Sequence, residues 1–186
     1  MTKKILILLI IFNTNITILF ASTKENIILN FKKIKNISFK FKQTIGEKTE
    51  EGNCIIQYPK KIYCIYNNLK KKIIVSNGKS LVIKNQSNNQ YYRYPLKSTP
   101  LILILDKSTL IKKMVEIEGK LVDDKYFKFS LNNNNNKINI FFHKKSLNIL
   151  GWQTEDLYQN LVVTFIYNIK KNNKIDEKLF VLPEIN

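Results

Sequence analysis

Thr99-Pro100-Leu101-Ile102-Leu103-Ile104-Leu105 is the stretch on which the fold turns. Thr99 suits a helix N-cap, and Pro100 suits the first helical position, where a missing N–H costs nothing. Leu101 to Leu105 then point an apolar side chain in every direction. A helix of that kind is buried all round, or buried on one face and in contact with a ligand on the other. Asp106, Lys107 and Ser108 punctuate the segment before Leu110, Ile111 and Met114 follow.

Outward from this point the chain is mostly strand. Upstream, residues 24–35 place Ile27, Ile28, Phe31 and Ile34 at helical spacing, with Lys and Asn opposite. Ile37, Phe39 and Phe41 then alternate with Ser38, Lys40 and Lys42. The change of period, from about 3.6 to 2, marks a helix passing into a half-buried strand. Residues 46–52 read as a charged loop. Residues 53–58 and 62–66 read as strands around Pro59-Lys60-Lys61, where proline presets a turn. Residues 73–76 and 80–84 flank Asn77-Gly78, a strong hairpin signal.

Residues 90–94, 126–131, 138–143, 148–154 and 161–168 continue the rhythm, and residues 179–182 close it before Pro183. The asparagine run 132–136 is a solvated turn. There is no internal repeat and no linker. The pattern predicts a mainly β fold with helices, of the α+β class, in which an antiparallel sheet curls into a barrel or sandwich.

The N-terminus reads as a secretory signal: Lys3 and Lys4, then the apolar run Ile5 to Phe12, then Leu19-Phe20-Ala21-Ser22. Cleavage is expected after Ala21, with the bond after Ser22 as the alternative site. The alternative, an uncleaved anchor, is disfavoured by Asn13, Thr14, Asn15 and Thr17, which interrupt the run short of the ~20 apolar residues a span needs. Residues 22–186 then form one domain. Removing Lys3 and Lys4 takes the net charge from +17 to +15. Arg93 is the only arginine, so the bidentate forks that nucleic-acid recognition favours are missing, and no nucleic-acid partner is expected. The charge still favours anionic membrane surfaces or acidic partners.

No catalytic constellation stands out, and neither a metal nor a cofactor is expected. Glu116, Glu118, Asp123 and Asp124 read as a solvated loop face, and His143, the only histidine, as an exposed loop residue. Cys54 and Cys64 are equidistant from the Pro59 turn with the same parity, so they point to one face of a hairpin. Facing positions there have Cβ atoms ~4.5–5.5 Å apart, within reach of a disulfide once the strands twist. A cross-strand disulfide is expected in an oxidising compartment, with two small buried thiols as the alternative.

Taken in order, several of these phrases resemble the LolA family, periplasmic carriers of outer-membrane lipoproteins. They are Phe39-Lys40-Phe41-Lys42-Gln43, Gly52, the hairpin at Tyr58-Pro59, Ile74 to Leu81 around Asn77-Gly78, and Thr99-Pro100-Leu101-Ile102-Leu103. Leu150-Gly151-Trp152 with Asp156, and Leu179-Phe180, complete the order. The resemblance spans about residues 25 to 182. It implies an unclosed antiparallel β-barrel, a curved sheet whose hydrophobic cavity is covered by helices and holds acyl chains. Two positions depart from the family. Tyr58 stands where the family has an arginine that bonds to the lid helices, and Cys64 stands where it tends to carry tryptophan.

On this reading Leu101, Ile102, Leu103, Ile104 and Leu105 form the cover, with Ile27 and Phe31 of the first helix. Phe39, Phe41, Ile56, Ile62 and Tyr66 line the concavity from one side, and Phe127, Phe129, Ile140 and Phe142 from the other. Tyr58 joins them beside the lid, its hydroxyl able to donate to a helix carbonyl. Any of these positions is equally compatible with an ordinary packed core. The resemblance implies a monomeric periplasmic chaperone. It would take acylated lipoproteins from an inner-membrane ABC-type release complex and pass them to an outer-membrane receptor. The receptor, which shares the fold, needs a cysteine directly after its signal, whereas the first cysteine here is Cys54. The remaining alternatives are a related lipid-binding sensor, which usually carries a second domain, and a basic polysaccharide-binding β-domain with a filled core.

Overall fold

A computed structural model of the protein describes residues 23–68, 71–88, 90–133, 136–155 and 159–184. The leader expected at 1–21, the middle of the asparagine turn and Asp156 lie outside the described residues.

Helix α1 covers residues 23–32. Six strands follow in sequence: β1 (Asn36–Ile45), β2 (Lys48–Gln57), β3 (Lys61–Tyr66), β4 (Lys72–Asn77), β5 (Ser80–Asn85) and β6 (Tyr91–Pro95). A single turn, α2 (Ile102–Leu105), and the longer α3 (Lys107–Glu116) come next. The chain then returns to β7 (Lys120–Val122), β8 (Tyr126–Asn133), β9 (Asn136–His143), β10 (Ile149–Glu155) and β11 (Leu161–Lys171).

All eleven strands belong to one antiparallel sheet in the order β6-β5-β4-β3-β2-β1-β11-β10-β9-β8-β7, and it does not close into a barrel. Each half is a meander of hairpins. The halves join where β1 meets β11, with Phe41 opposite Ile166. Alternation fixes the faces: Phe39 and Phe41 of β1 turn inward, and Lys40 and Lys42 turn out. The inner face carries the main core, into which Ile27, Phe31, Leu110 and Met114 of α1 and α3 are packed.

Asn77-Gly78 turns as its sequence requires. Gly78 sits at φ +96°, and the Asn77 carboxamide oxygen accepts from the backbone N–H of Lys79 and Ser80. Gly52 answers a different need. A Cβ there would lie 2.2 Å from the Ile65 carbonyl oxygen and 2.7 Å from the Phe41 ring. Its bareness lets Phe41 and Tyr66 meet edge to face across β2, with ring centroids 4.8 Å apart.

Four local expectations are corrected. The segment 46–52 is mostly strand β2, because Glu50 is buried in an ion pair with Lys72 instead of pointing to solvent. Residues 179–182 form no strand. The 3-10 turn Glu177–Phe180 packs on β3 and β4 instead, burying Phe180. Thr99 is not the cap of α2, since its hydroxyl donates back to the Leu96 carbonyl, and Asp106 caps α3 through the Thr109 N–H. His143 ends strand β9, with Nδ1 accepting from the Ser146 N–H.

Candidate functional site

The inner face is filled at one end and hollow at the other. Beneath the segment 98–104 lies a cavity of about 410 Å³ walled by residues of β1 to β6, β10 and β11. That size falls within the ~300–1,000 Å³ typical of small-molecule sites. It is larger than the ~150 Å³ apolar cavities that already admit a benzene ring.

Among the residues expected at the site, Phe39, Phe41, Ile62, Tyr66, Leu101 and Ile104 border this hollow, together with Cys54 and Cys64. The others sit elsewhere. Ile27, Phe31, Phe127, Phe129, Ile140 and Phe142 are packed in the core, with Phe142 edge-on to both Phe31 and Phe129. Ile56, Leu103 and Leu105 are buried there too, and Ile102 packs against its margin.

Several wall residues escaped the sequence reading. Trp152 is 6% exposed and meets Phe39 edge to face at 6.3 Å. Its alternation with Gly151 and Gln153 was a usable signal. Ile74, Leu81 and Ile83 also line the hollow. No parity could have found them, because β4 and β5 are apolar on both faces: Ile73, Val75 and Val82 are buried on the opposite side.

Cys54 and Cys64 face each other across β2 and β3 and are joined in a disulfide, with Cα atoms 4.1 Å apart. The bridge is part of the apolar wall. The end of the hollow toward β4 is polar. There Tyr66 donates to Gln43 Oε1 at 3.1 Å, and Gln43 Nε2 donates to Thr164 Oγ1 at 3.0 Å. Lys72 Nζ lies 3.7 Å over the Tyr66 ring and pairs with Glu50. Burial works against the Glu50 carboxylate, but Lys72, Lys48 and Asn68 outweigh it and hold its pKa below the ordinary value. Burial pushes the Tyr66 hydroxyl up, with the Glu50 charge adding to the effect. This end is a fixed network of hydrogen bonds. The exposed lining residues, Tyr94, Ser98 and Glu155, mark where the hollow meets solvent.

The cover is fastened at the β2–β3 turn. Lys60 N–H donates to the Leu105 carbonyl at 3.0 Å, and its ammonium pairs with Asp106 at 3.1 Å. Burial disfavours the ionised Asp106, but contacts from Ser108, Thr109 and Lys60 prevail and lower its pKa. One residue on, Lys107 Nζ donates to the carbonyls of Lys32 and Ile34 at the end of α1. Tyr58 does not take the arginine's part. Its hydroxyl is buried without a hydrogen-bond partner among the described residues, and its ring packs edge-on to Phe31 at 5.8 Å. Lys107 lies 5.2 Å over that same ring. A lysine on the helix side thus supplies the bonds to helix carbonyls.

Among the described residues no three His, Cys, Asp or Glu side chains gather to hold a metal ion. No helix among them is long and apolar enough to cross a membrane.

The fold has relatives among solved structures. An uncharacterized conserved protein from Thermus thermophilus superposes with a TM-score of 0.52 at 9% identity, covering 88% of this chain and 94% of that one. A LolA superfamily protein from Nitrosomonas europaea gives a TM-score of 0.46 at 9% identity, covering 85% and 97%. At such identities the Thermus likeness concerns the fold alone. None of the curated proteins matches the sequence. The sequence profile described as outer membrane lipoprotein carrier protein LolA matches residues 32–183, from the end of α1 to the residues after Phe180. That span takes in every strand of the open sheet and the segment over its hollow, so the chain belongs to the LolA family.

Proposed function

We propose that this protein is a periplasmic chaperone that shelters the acyl chains of lipoproteins and carries them from the inner to the outer membrane. The observation that carries this reading is the apolar hollow of about 410 Å³ under Leu101 and Ile104. Acyl chains leave water at ~0.8 kcal/mol per methylene, so an unfilled greasy wall needs no specific polar contact to retain them. Residues 1–21 act as the export signal and residues 22–186 as one carrier domain. No catalysis is needed. An inner-membrane ABC-type release complex loads the hollow, and an outer-membrane receptor empties it. Handover runs downhill because the carrier's affinity lies between those of donor and acceptor.

The test is a titration of the purified mature protein with an environment-sensitive fatty-acid dye, alongside Leu101→Trp, which fills the hollow from its cover. Saturable binding weakened at least tenfold by the substitution is expected. Unsaturable binding, or an equal affinity for the variant, would refute the assignment. Mass spectrometry of material co-purified from the periplasm should find acylated proteins.

A further inference from the structure

The outer face of the sheet carries a second apolar feature. Across β1, β11, β10, β9, β8 and β7 the register aligns Lys42, Phe165, Gly151, Phe141, Lys128 and Lys120 in one row. Phe165 is 50% exposed, although its strand neighbours Thr164 and Ile166 are buried. Gly151 leaves the row's centre bare for a structural reason. A Cβ there would lie 2.0 Å from the Thr164 carbonyl oxygen, so no larger residue fits without separating β10 from β11. The result is a groove of about 240 Å³ between Phe165 and Phe141. Tyr167 stacks on Phe165, and Tyr126 meets Phe141 edge-on, widening the aromatic stripe to both sides.

Lysine bounds the stripe at both ends. Lys42 and Lys40 stand opposite Phe165 and Tyr167, and Lys128 stands opposite Phe141 with Lys120 beyond it. None of these four forms an ion pair with a carboxylate among the described residues. The nearby acids are otherwise disposed. Asp124 pairs with Lys144, Asp123 accepts from the Tyr126 hydroxyl, and Glu51 lies opposite Lys42 on the side away from the rings, without an ion pair to it.

We propose that this face docks the protein on the surface of an anionic lipid bilayer. Tyr126 and Tyr167 suit headgroup depth because one end of the ring is apolar and the other is a hydroxyl, while Phe165 and Phe141 bury against the acyl boundary. Lysine stems lie along the apolar surface while their ammonium groups reach the phosphates. The strands that carry the aromatic stripe, β8 to β11, have a neighbour on both sides, so the rings themselves lie away from the sheet edge, which falls at β7 with Lys120. Four lysines bound the stripe against the one glutamate opposite Lys42, so the rim is net positive, as an anionic surface favours, and the net charge of +15 left after removing Lys3 and Lys4 reinforces it. The proposal stands on this face alone and does not depend on the hollow.

Vesicle co-sedimentation of the mature protein tests it, with phosphatidylglycerol–phosphatidylethanolamine vesicles set against phosphatidylcholine. Binding to the anionic vesicles alone, lost on raising salt to roughly 0.5 M, is expected. Lys42→Gln and Lys128→Gln, surface changes that leave the fold intact, should each weaken it about fivefold. Phe165→Ser should weaken it further and leave fatty-acid dye affinity unchanged. Failure to bind anionic vesicles, equal binding to neutral ones, or full binding by the Lys42→Gln/Lys128→Gln double variant would overturn the proposal. The first outcome would turn attention to a protein partner.

Discussion

The two halves of the inner face use the same alternation of large apolar residues and end in opposite states. On β8 and β9, Phe127, Phe129, Ile140 and Phe142 meet full-length helices: Phe31 of α1 reaches Phe142 at 5.9 Å, and Leu110 and Met114 of α3 join the same core. The chain even thins itself there. A Cβ on Gly119 would lie 2.7 Å from the Phe129 ring. On β1 to β5, Phe39, Phe41, Ile62 and Leu81 line the hollow, whose cover is the single turn α2 and the residues before it, from which Leu101 and Ile104 reach in. Whether an inward phenylalanine becomes core or cavity wall is decided by the length of the helix opposite.

Substitutions on each side put that contrast to the test. The largest effect is expected from Phe142→Ala, which empties a packed site and should lower unfolding free energy by about 3–5 kcal/mol in denaturant titrations. Phe39→Ala, beside space already open, should cost about 1–2 kcal/mol and alter dye affinity instead. Equal losses at the two sites would erase the distinction. Next comes the wall's own brace. Replacing Cys54 and Cys64 together by serine should lower stability by about 2–4 kcal/mol, read by thermal unfolding with and without reductant, and the double variant should be indifferent to reductant.

The smallest effect concerns the fastening of the cover. The Asp106 pKa is depressed in the folded protein, so its contribution is present above the ordinary value of 3.8 and is lost as pH falls through the lower folded value. Amide exchange at residues 101–105 should therefore quicken, after correction for intrinsic rates, only in strongly acidic solution. Asp106→Asn should show the faster exchange already at neutral pH, with no further change on acidification. An Asp106→Asn profile that still steps at low pH would move the sensitivity to another group.

Much of the strand layout was readable because period-2 alternation survives wherever one face is wet, as in β1 and β11. It failed in β2, where buried Glu50 imitates a loop residue, and at the C-terminus, where Leu179-Phe180-Val181-Leu182 has strand composition but lies against β3 and β4, interior strands already paired on both sides. The site was half legible for a deeper reason. Parity identifies the inward face, yet Phe41 and Phe129 look alike in sequence, and only the helices' placement separates wall from core. The fastening at Lys60 and Lys107 was invisible, since two lysines in a lysine-rich chain carry no local mark. The family's arginine drew attention to Tyr58, whose hydroxyl makes none of the expected bonds.

Trp152 is the only tryptophan of the chain and borders both the inner hollow and the outer groove. Its indole lies on the inner face against Phe39, while the groove outside opens beside its neighbour Gly151. Its intrinsic emission, excited without any attached label, responds to wetting or filling of the hollow, so the wild-type protein carries its own optical gauge of occupancy.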